Sequence, residues 1–283
     1  MSEGAEGYTE SFGMQWLRHS RTQLDSFTGL KLSEERLFAT TGWPRDMRGQ
    51  RILEAGCGAG RFTEILCKTG AAVTAFDASV AVEANRRNNG HYQNLALLRA
   101  DILNPPFAEG SFEKVLCLGV LQHTPDPEAS FHSLVRFVKP GGEIVADVYR
   151  KSLTALMCWK YLLRPVTRRL PPQLLYNVIS ASAPVLVPIT AALRRLGGPA
   201  LARLSPMVEY SRFGLASEVN FDWAVLDTFD MYSPRYDRPQ SVPGAKKWLE
   251  RAGLEGEVFP GGNGVIIRAR IPESEARCRR EAS

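Results

Sequence analysis

The chain has 283 residues, 44% hydrophobic and 23% charged, with a formal net charge of +5. That length holds one large core or a core with an insertion, and the composition excludes wholesale disorder. The opening MSEGAEGYTESFG lacks the apolar stretch of a secretory signal peptide, and Cys57, Cys67, Cys117, Cys158 and Cys278 show no C-x-x-C spacing; together these suit a reduced, cytoplasmic setting rather than a disulfide or zinc framework.

In chain order, residues 1–50 read as a helical N-terminal cap, with Trp16, Leu17, Leu24, Phe27 and Leu37 expected in the interior. Strand-like runs follow at 51–55, 72–77, 95–99, 114–119 and 143–149, with helical segments at 60–69, 79–88 and 128–138 between them. That alternation across 51–150 predicts a mostly parallel sheet with helices on both faces. KPGG at 139–142 reads as a turn that ends one helix and launches the next strand. After Tyr149 the rhythm stops, and 151–240 reads as a helical insertion rich in Leu, Ala, Pro and Arg. A helix at 242–252 and strands near 256–260 and 264–270 complete the sheet within 241–272, and 273–283 is a charged tail.

Charge is unevenly placed. Between Asp147 and Glu209 there is no acidic residue, while Arg150, Lys151, Lys160, Arg164, Arg168, Arg169, Arg194, Arg195 and Arg203 supply nine cations. Such a block either faces an anion or spreads over a solvated surface. From Leu170 to Leu193 there is no charge at all, a length that could span a bilayer, but Pro184, Pro188 and several polar residues interrupt it. Two readings stay open: a buried helical lid, and a lid that also touches the inner membrane surface, its arginines on anionic headgroups or on the phosphates of a lipid-linked acceptor.

The stretch RILEAGCGAGRF runs from strand through Gly56, Gly58 and Gly60 into a helix. Glycines there permit close backbone approach, and the helix end offers free N–H groups to a nucleotide-like ligand. Arg61 stands where a dinucleotide fingerprint would place its next small residue, and no Lys-Ser/Thr follows as in a P-loop. Asp77 ends the second strand, where its carboxylate can accept two ribose hydroxyls. Asp101 follows the third strand, placed to meet an adenine amino group. A plain structural turn is the competing reading of the glycines alone.

With these residues the chain resembles the class I S-adenosylmethionine-dependent methyltransferases, in the branch that includes the ubiquinone- and menaquinone-type enzymes. The resemblance is carried by 51–150, and 242–270 extend it. The longer signatures FGMQWLRHSRTQLDSFTGL, GVLQHTPDP, DVYRK and FDMYSPRYDRPQS look like a bacterial subgroup associated with surface-polysaccharide and other biosynthetic gene clusters. The implied fold is α/β: a Rossmann-like seven-stranded, mostly parallel sheet with helices on both faces and a helical lid insertion. The implied cofactor is S-adenosyl-L-methionine. Glu54, Gly56, Cys57, Gly58 and Gly60 would lie by its methionine part, Asp77 with Ala78 at the ribose, Asp101 with Ile102 at the adenine, and Leu118 and Gly119 facing it.

A hydroxyl acceptor benefits from a general base, and His123, just after the fourth strand, is the candidate; the alternative is a histidine that only packs or caps the loop. His19 could sit near the cofactor, as could Gln15, Trp16 and Arg18, whereas His91 and His132 are expected to face solvent. Tyr232, Arg235 and Tyr236 in DMYSPRYDRPQS could line an acceptor pocket, or merely connect. No His, Cys and carboxylate cluster has metal spacing, so no metal is expected. No RNA-binding module or N-P-P-Y-type loop is present, so nucleic acid is disfavoured as a partner. The expected reaction is methyl transfer to a hydroxyl of a sugar, glycan or other small-molecule intermediate. Methylation of a quinone-type lipid ring and a non-catalytic adenosylmethionine-binding module are the rivals.

Overall fold

The computed structural model describes residues 3–151, 159–262 and 264–273; Cys158, Cys278 and the tail from 274 onward lie outside them. Three N-terminal helices, α1 (Glu3–Arg18), α2 (Asp25–Thr28) and α3 (Leu32–Thr41), precede β1 (Arg51–Ala55), α4 (Arg61–Lys68), β2 (Ala72–Asp77), α5 (Ala81–Asn89) and β3 (Leu95–Arg99). Then come β4 (Phe112–Cys117), a short 3-10 turn (Leu121–His123), α6 (Pro127–Val135) and β5 (Val138–Tyr149). After β5 lie α7 (Trp159–Thr167), α8 (Pro172–Ala202), α9 (Ser217–Tyr232), α10 (Val242–Arg251), β6 (Glu255–Gly261) and β7 (Gly264–Arg270).

The seven strands form one sheet in the order β3-β2-β1-β4-β5-β7-β6. The first five are parallel; β7 runs antiparallel to β5 and to β6. Alternate side chains go to opposite faces, as the period of two in a strand requires. Leu53, Val115, Ile144 and Val148 pack with Phe131, Leu134 and Trp248 on one side. Ile52, Leu116 and Val145 pack with Leu37, Ile65 and Leu66 on the other. With both faces covered, the central strands read as near-continuous apolar runs. The helix starts are locally encoded: Asp126 accepts from the N–H of Glu128 and Ala129 ahead of Pro127, and Ser241 accepts from Gly244 N–H.

Several expectations are corrected. KPGG is not a break before β5 but lies within it: the strand begins at Val138, paired with Phe112, and a bulge shifts the register before Lys114 meets Glu143. Leu17 and Phe27 are exposed, at 41% and 43%, although Leu24 and Leu37 are buried. His132 is half-buried, its Nε2 3.1 Å from the carbonyl of Trp248, whereas His91 does face solvent. α8 is no evenly buried lid. One face (Leu175, Ile179, Ala183, Val187) packs on Ala224, Val225 and Phe229 of α9, while Leu174, Val178, Val185, Ile189 and Leu196 are left exposed.

Candidate active site

The site lies at the carboxyl ends of β1, β2, β4 and β5, beside the point where the strand order reverses between β1 and β4; open α/β sheets leave a crevice there. Gly56 and Cys57 N–H both donate to the carbonyl of Phe76, at 2.8 and 3.0 Å, which bends the chain sharply out of β1. Gly56 has a φ of +72° and a Cβ added to it would stand 2.3 Å from Val120 Cγ2, so only glycine fits. Gly58 N–H donates to Asp77 Oδ2 at 2.9 Å, and Ser79 holds the other oxygen through its N–H (2.8 Å) and hydroxyl (2.7 Å). The Asp77 carboxylate is thereby fixed at the lip of the loop.

A cavity of about 360 Å³ opens there. It is lined by Glu54, Gly56, Cys57, Gly58, Asp77, Ala78, Ile102, Leu118, Gly119 and His123 from the expected set. Gly60 and Asp101 are not in its wall. Gly60 instead starts α4 at a φ of +94°, packed against Asn85 and Asn89. Asp101 accepts from Leu103 N–H at 3.0 Å, capping its own loop. Gln15 and Trp16 of α1 line the cavity, while Arg18 reaches Gln173 and the ring of Tyr176 on α8. His19 is buried outside the cavity wall, with Nε2 2.8 Å from Tyr176 Oη.

Glu54 is 3% exposed and accepts from Thr63 Oγ1 at 2.6 Å. Burial, aided by the charge of Asp77, pushes its carboxyl up to about 8 against the opposing hydrogen bond. Burial likewise raises the Cys57 thiol well above its usual range, so it packs rather than reacts.

Across the cavity sits a polar wall that the sequence reading missed. Arg36 binds Asp147 at 3.0 Å, and Asp147 also accepts from Gly119 N–H. Arg61 donates to Ser33 Oγ (2.9 Å) and Gln23 Oε1 (3.2 Å); burial draws it down to about 10, still cationic at neutral pH. Asp227 accepts from Gln23 (3.0 Å), Trp223 (3.1 Å) and the hydroxyl of Tyr210, and burial raises it to about 6. Asp230 accepts from Gln15 (3.3 Å) and Tyr149 (3.2 Å). Trp223, Asp227 and Asp230 recur at helical spacing on α9, a polar stripe in an apolar helix that could have flagged them.

His123 is 5% exposed, its ring between Phe12 and Tyr149 at centroid distances of 5.0 and 5.4 Å. Its Nδ1 lies 3.2 Å from the carbonyl of Tyr236. A carbonyl only accepts, so Nδ1 carries the proton and Nε2 holds the lone pair. Among the described residues Nε2 has no hydrogen-bond partner, and it stands 3.9 Å from Asp230 Oδ2. Burial lowers the ring's pKa, opposed by Asp230 and assisted by Lys160. Of the expected acceptor residues, Tyr232 is buried in the α8–α9 core, its hydroxyl donating to Pro206 at 2.7 Å; Arg235 and Tyr236 line a second cavity instead.

These groups suit a cationic, nucleoside-bearing ligand. Three buried polar atoms around the cavity, Gln15 Oε1, Arg36 Nε and His123 Nε2, have no hydrogen-bond partner among the described residues. Glu54 and Asp77 offer carboxylates to an ammonium and a ribose.

Residues 53–146 match a family described as a methyltransferase domain. A "Ubiquinone biosynthesis O-methyltransferase" of Alkalilimnicola ehrlichii is 32% identical over 125 residues, 42% of this chain and 51% of that protein. One of the same description from Azotobacter vinelandii is 33% identical over 129 residues, 43% of this chain and 56% of that protein. The chain thus spans about half the length of the curated relatives it matches. Among solved structures, a chain of the complex between the Haloferax volcanii Trm112 methyltransferase activator and the putative methyltransferase has a TM-score of 0.51 at 13% identity. It covers 92% of this chain and 97% of that one, a likeness of fold alone. With the glycine loop, the strand order and the matched stretch together, residues 53–146 form a methyltransferase domain of the S-adenosylmethionine-dependent kind, and S-adenosylmethionine is its cofactor.

Proposed function

We propose that the chain methylates a hydroxyl oxygen on a sugar, glycan or other biosynthetic intermediate, with His123 as general base. The observation that carries this is the unpartnered Nε2 of a buried, neutral histidine in the wall of the glycine-loop cavity. The cofactor supplies a methyl group already activated on a sulfonium. The chain's own residues then have three tasks. Glu54, Gly58 and Asp77 would hold and orient the cofactor. Trp16, Phe12 and Tyr149 wall the cavity against water. Nε2 would take the proton of the acceptor hydroxyl and so free its oxygen to receive the methyl group that the cofactor would supply. Asp230, 3.9 Å from Nε2, favours the imidazolium so made.

The second reading is a hydroxyl on a quinone-type ring. Two observations favour it: the description of the curated relatives, and the exposed apolar face of α8, a helix long and apolar enough to cross a membrane but with one face committed to α9. In that reading α8 lies on the cytoplasmic surface of the membrane, where a lipid-linked acceptor enters. The test is formation of S-adenosylhomocysteine against nucleotide sugars, lipid-linked glycans and hydroxylated quinone rings, run with the His123→Gln variant. Turnover on one class that the variant loses sustains the base. Turnover confined to amine or carbon acceptors would remove the hydroxyl assignment.

A further inference from the structure

Behind the Ser233–Arg238 segment lies a second cavity of about 870 Å³ that shares no residue with the first. Five guanidinium groups line it: Arg164, Arg168 and Arg169 from the end of α7 and the turn after it, Arg235 and Arg238 from the loop after α9. Arg164 is buried and held by the carbonyls of Met231 (3.1 Å) and Pro234 (2.7 Å). Arg168, Arg169, Arg235 and Arg238 are exposed and enter none of the ion pairs among the described residues. The one buried acid in the wall, Asp237, is already matched by Lys160 at 2.9 Å. By contrast Arg194, from the same basic block, is taken up by Glu209. The exposed Glu10 also lines the cavity, so five guanidinium groups share it with two carboxylates; the surplus of like charge repels, and a multivalent anion relieves that repulsion while engaging planar N–H forks.

We propose that this cavity binds the phosphate or diphosphate group of a phosphorylated acceptor. The inference rests on the methyl-transfer reading for the ligand's fate, but not for its binding. Tyr236 joins the two sites: its ring lies beside Arg235 and Arg238, at 5.7 and 5.5 Å, and its carbonyl accepts from His123. An anion held by these arginines therefore steadies the segment that orients the base. The wall also carries Pro165, Leu170 and Leu175, and the exposed Leu174 and Val178 continue from it, so the phosphate ester can carry an apolar chain.

The experiment is titration of the full chain with inorganic pyrophosphate at low ionic strength, followed calorimetrically, beside a titration with S-adenosylhomocysteine. Arg168→Gln with Arg238→Gln should weaken pyrophosphate binding at least tenfold and leave S-adenosylhomocysteine binding within about twofold. Lys247→Gln, exposed on α10 away from the cavity, should change neither. Retention on phosphatidylcholine vesicles containing phosphatidic acid, lost in the arginine double variant and absent with phosphatidylcholine alone, supports the site and identifies a lipid phosphate. Pyrophosphate binding without vesicle retention supports the site with a soluble phosphate ester. A chain that binds S-adenosylhomocysteine but not pyrophosphate, or whose pyrophosphate affinity ignores the double variant, overturns the site and leaves the methyltransferase reading standing.

Discussion

Replacing Glu54 by Gln separates a cofactor-binding carboxylate from a merely buried one. Burial raises the carboxyl to about 8, so at pH 7 roughly nine in ten molecules without cofactor carry a proton there. An ammonium brought beside Glu54 favours the carboxylate, and binding then releases roughly 0.9 proton at pH 7. Expelling that proton costs ~1.4 kcal/mol at pH 7, a cost that shrinks as pH rises for as long as the ligand's α-amino group, with an ordinary value of about 7.7–8.0, keeps its charge. The sign is fixed by the raised folded pKa. The fold without cofactor keeps a proton that the unfolded chain has lost, so this contribution to stability is full below the ordinary value of 4.5 and is lost as pH rises towards 8. The assay is calorimetry of cofactor binding in two buffers of different ionisation enthalpy. Wild type should show buffer-dependent heat, and Glu54→Gln should bind more weakly with no proton release. Tight binding with identical heats in both buffers would refute the argument.

His123→Gln should lower kcat by about 10²–10⁴ while cofactor affinity stays within about threefold. A change of less than fivefold would reduce the histidine to packing. Both His123 and His19 have folded pKa values drawn below 6.5 by burial. Their contribution to stability, present above pH 6.5, should fade as pH drops below it, and wild-type activity should fall in the same acid range. Gly56→Ala should destabilise by about 1–3 kcal/mol more than Gly214→Ala. Both glycines have positive φ, but only at Gly56 would the new Cβ meet Val120, so equal melting temperatures would exclude the packing argument. Tyr232→Phe should cost about 1 kcal/mol through the lost bond to Pro206 and leave cofactor binding unchanged; altered cofactor affinity would contradict its place in the α8–α9 core.

The alternation of strand and helix, the glycine loop and Asp77 were legible because each is a local pattern. Burial on both faces makes a continuous apolar strand, and a loop that approaches the sheet this closely at Gly56 has no room for a side chain. The 3-10 turn carrying His123 follows β4 directly, so its place in the crevice was legible too. Asp101 follows β3 as expected, but its carboxylate accepts from Leu103 N–H and lies outside the cavity wall, a detail that proximity to a strand end does not encode. Tyr232 misled for the same reason, as helical phase pointed it into the α8–α9 core. The polar wall of Arg36, Arg61, Tyr149, Asp227 and Asp230 draws on four separate segments, α3, α4, β5 and α9. No local period encodes such a meeting. The sequence by itself determined the sheet and the glycine loop at its crevice. Only the tertiary structure decided the rest of the site, because the orphan lone pair of His123 and the arginine-lined cavity arise from segments that meet after the chain has folded.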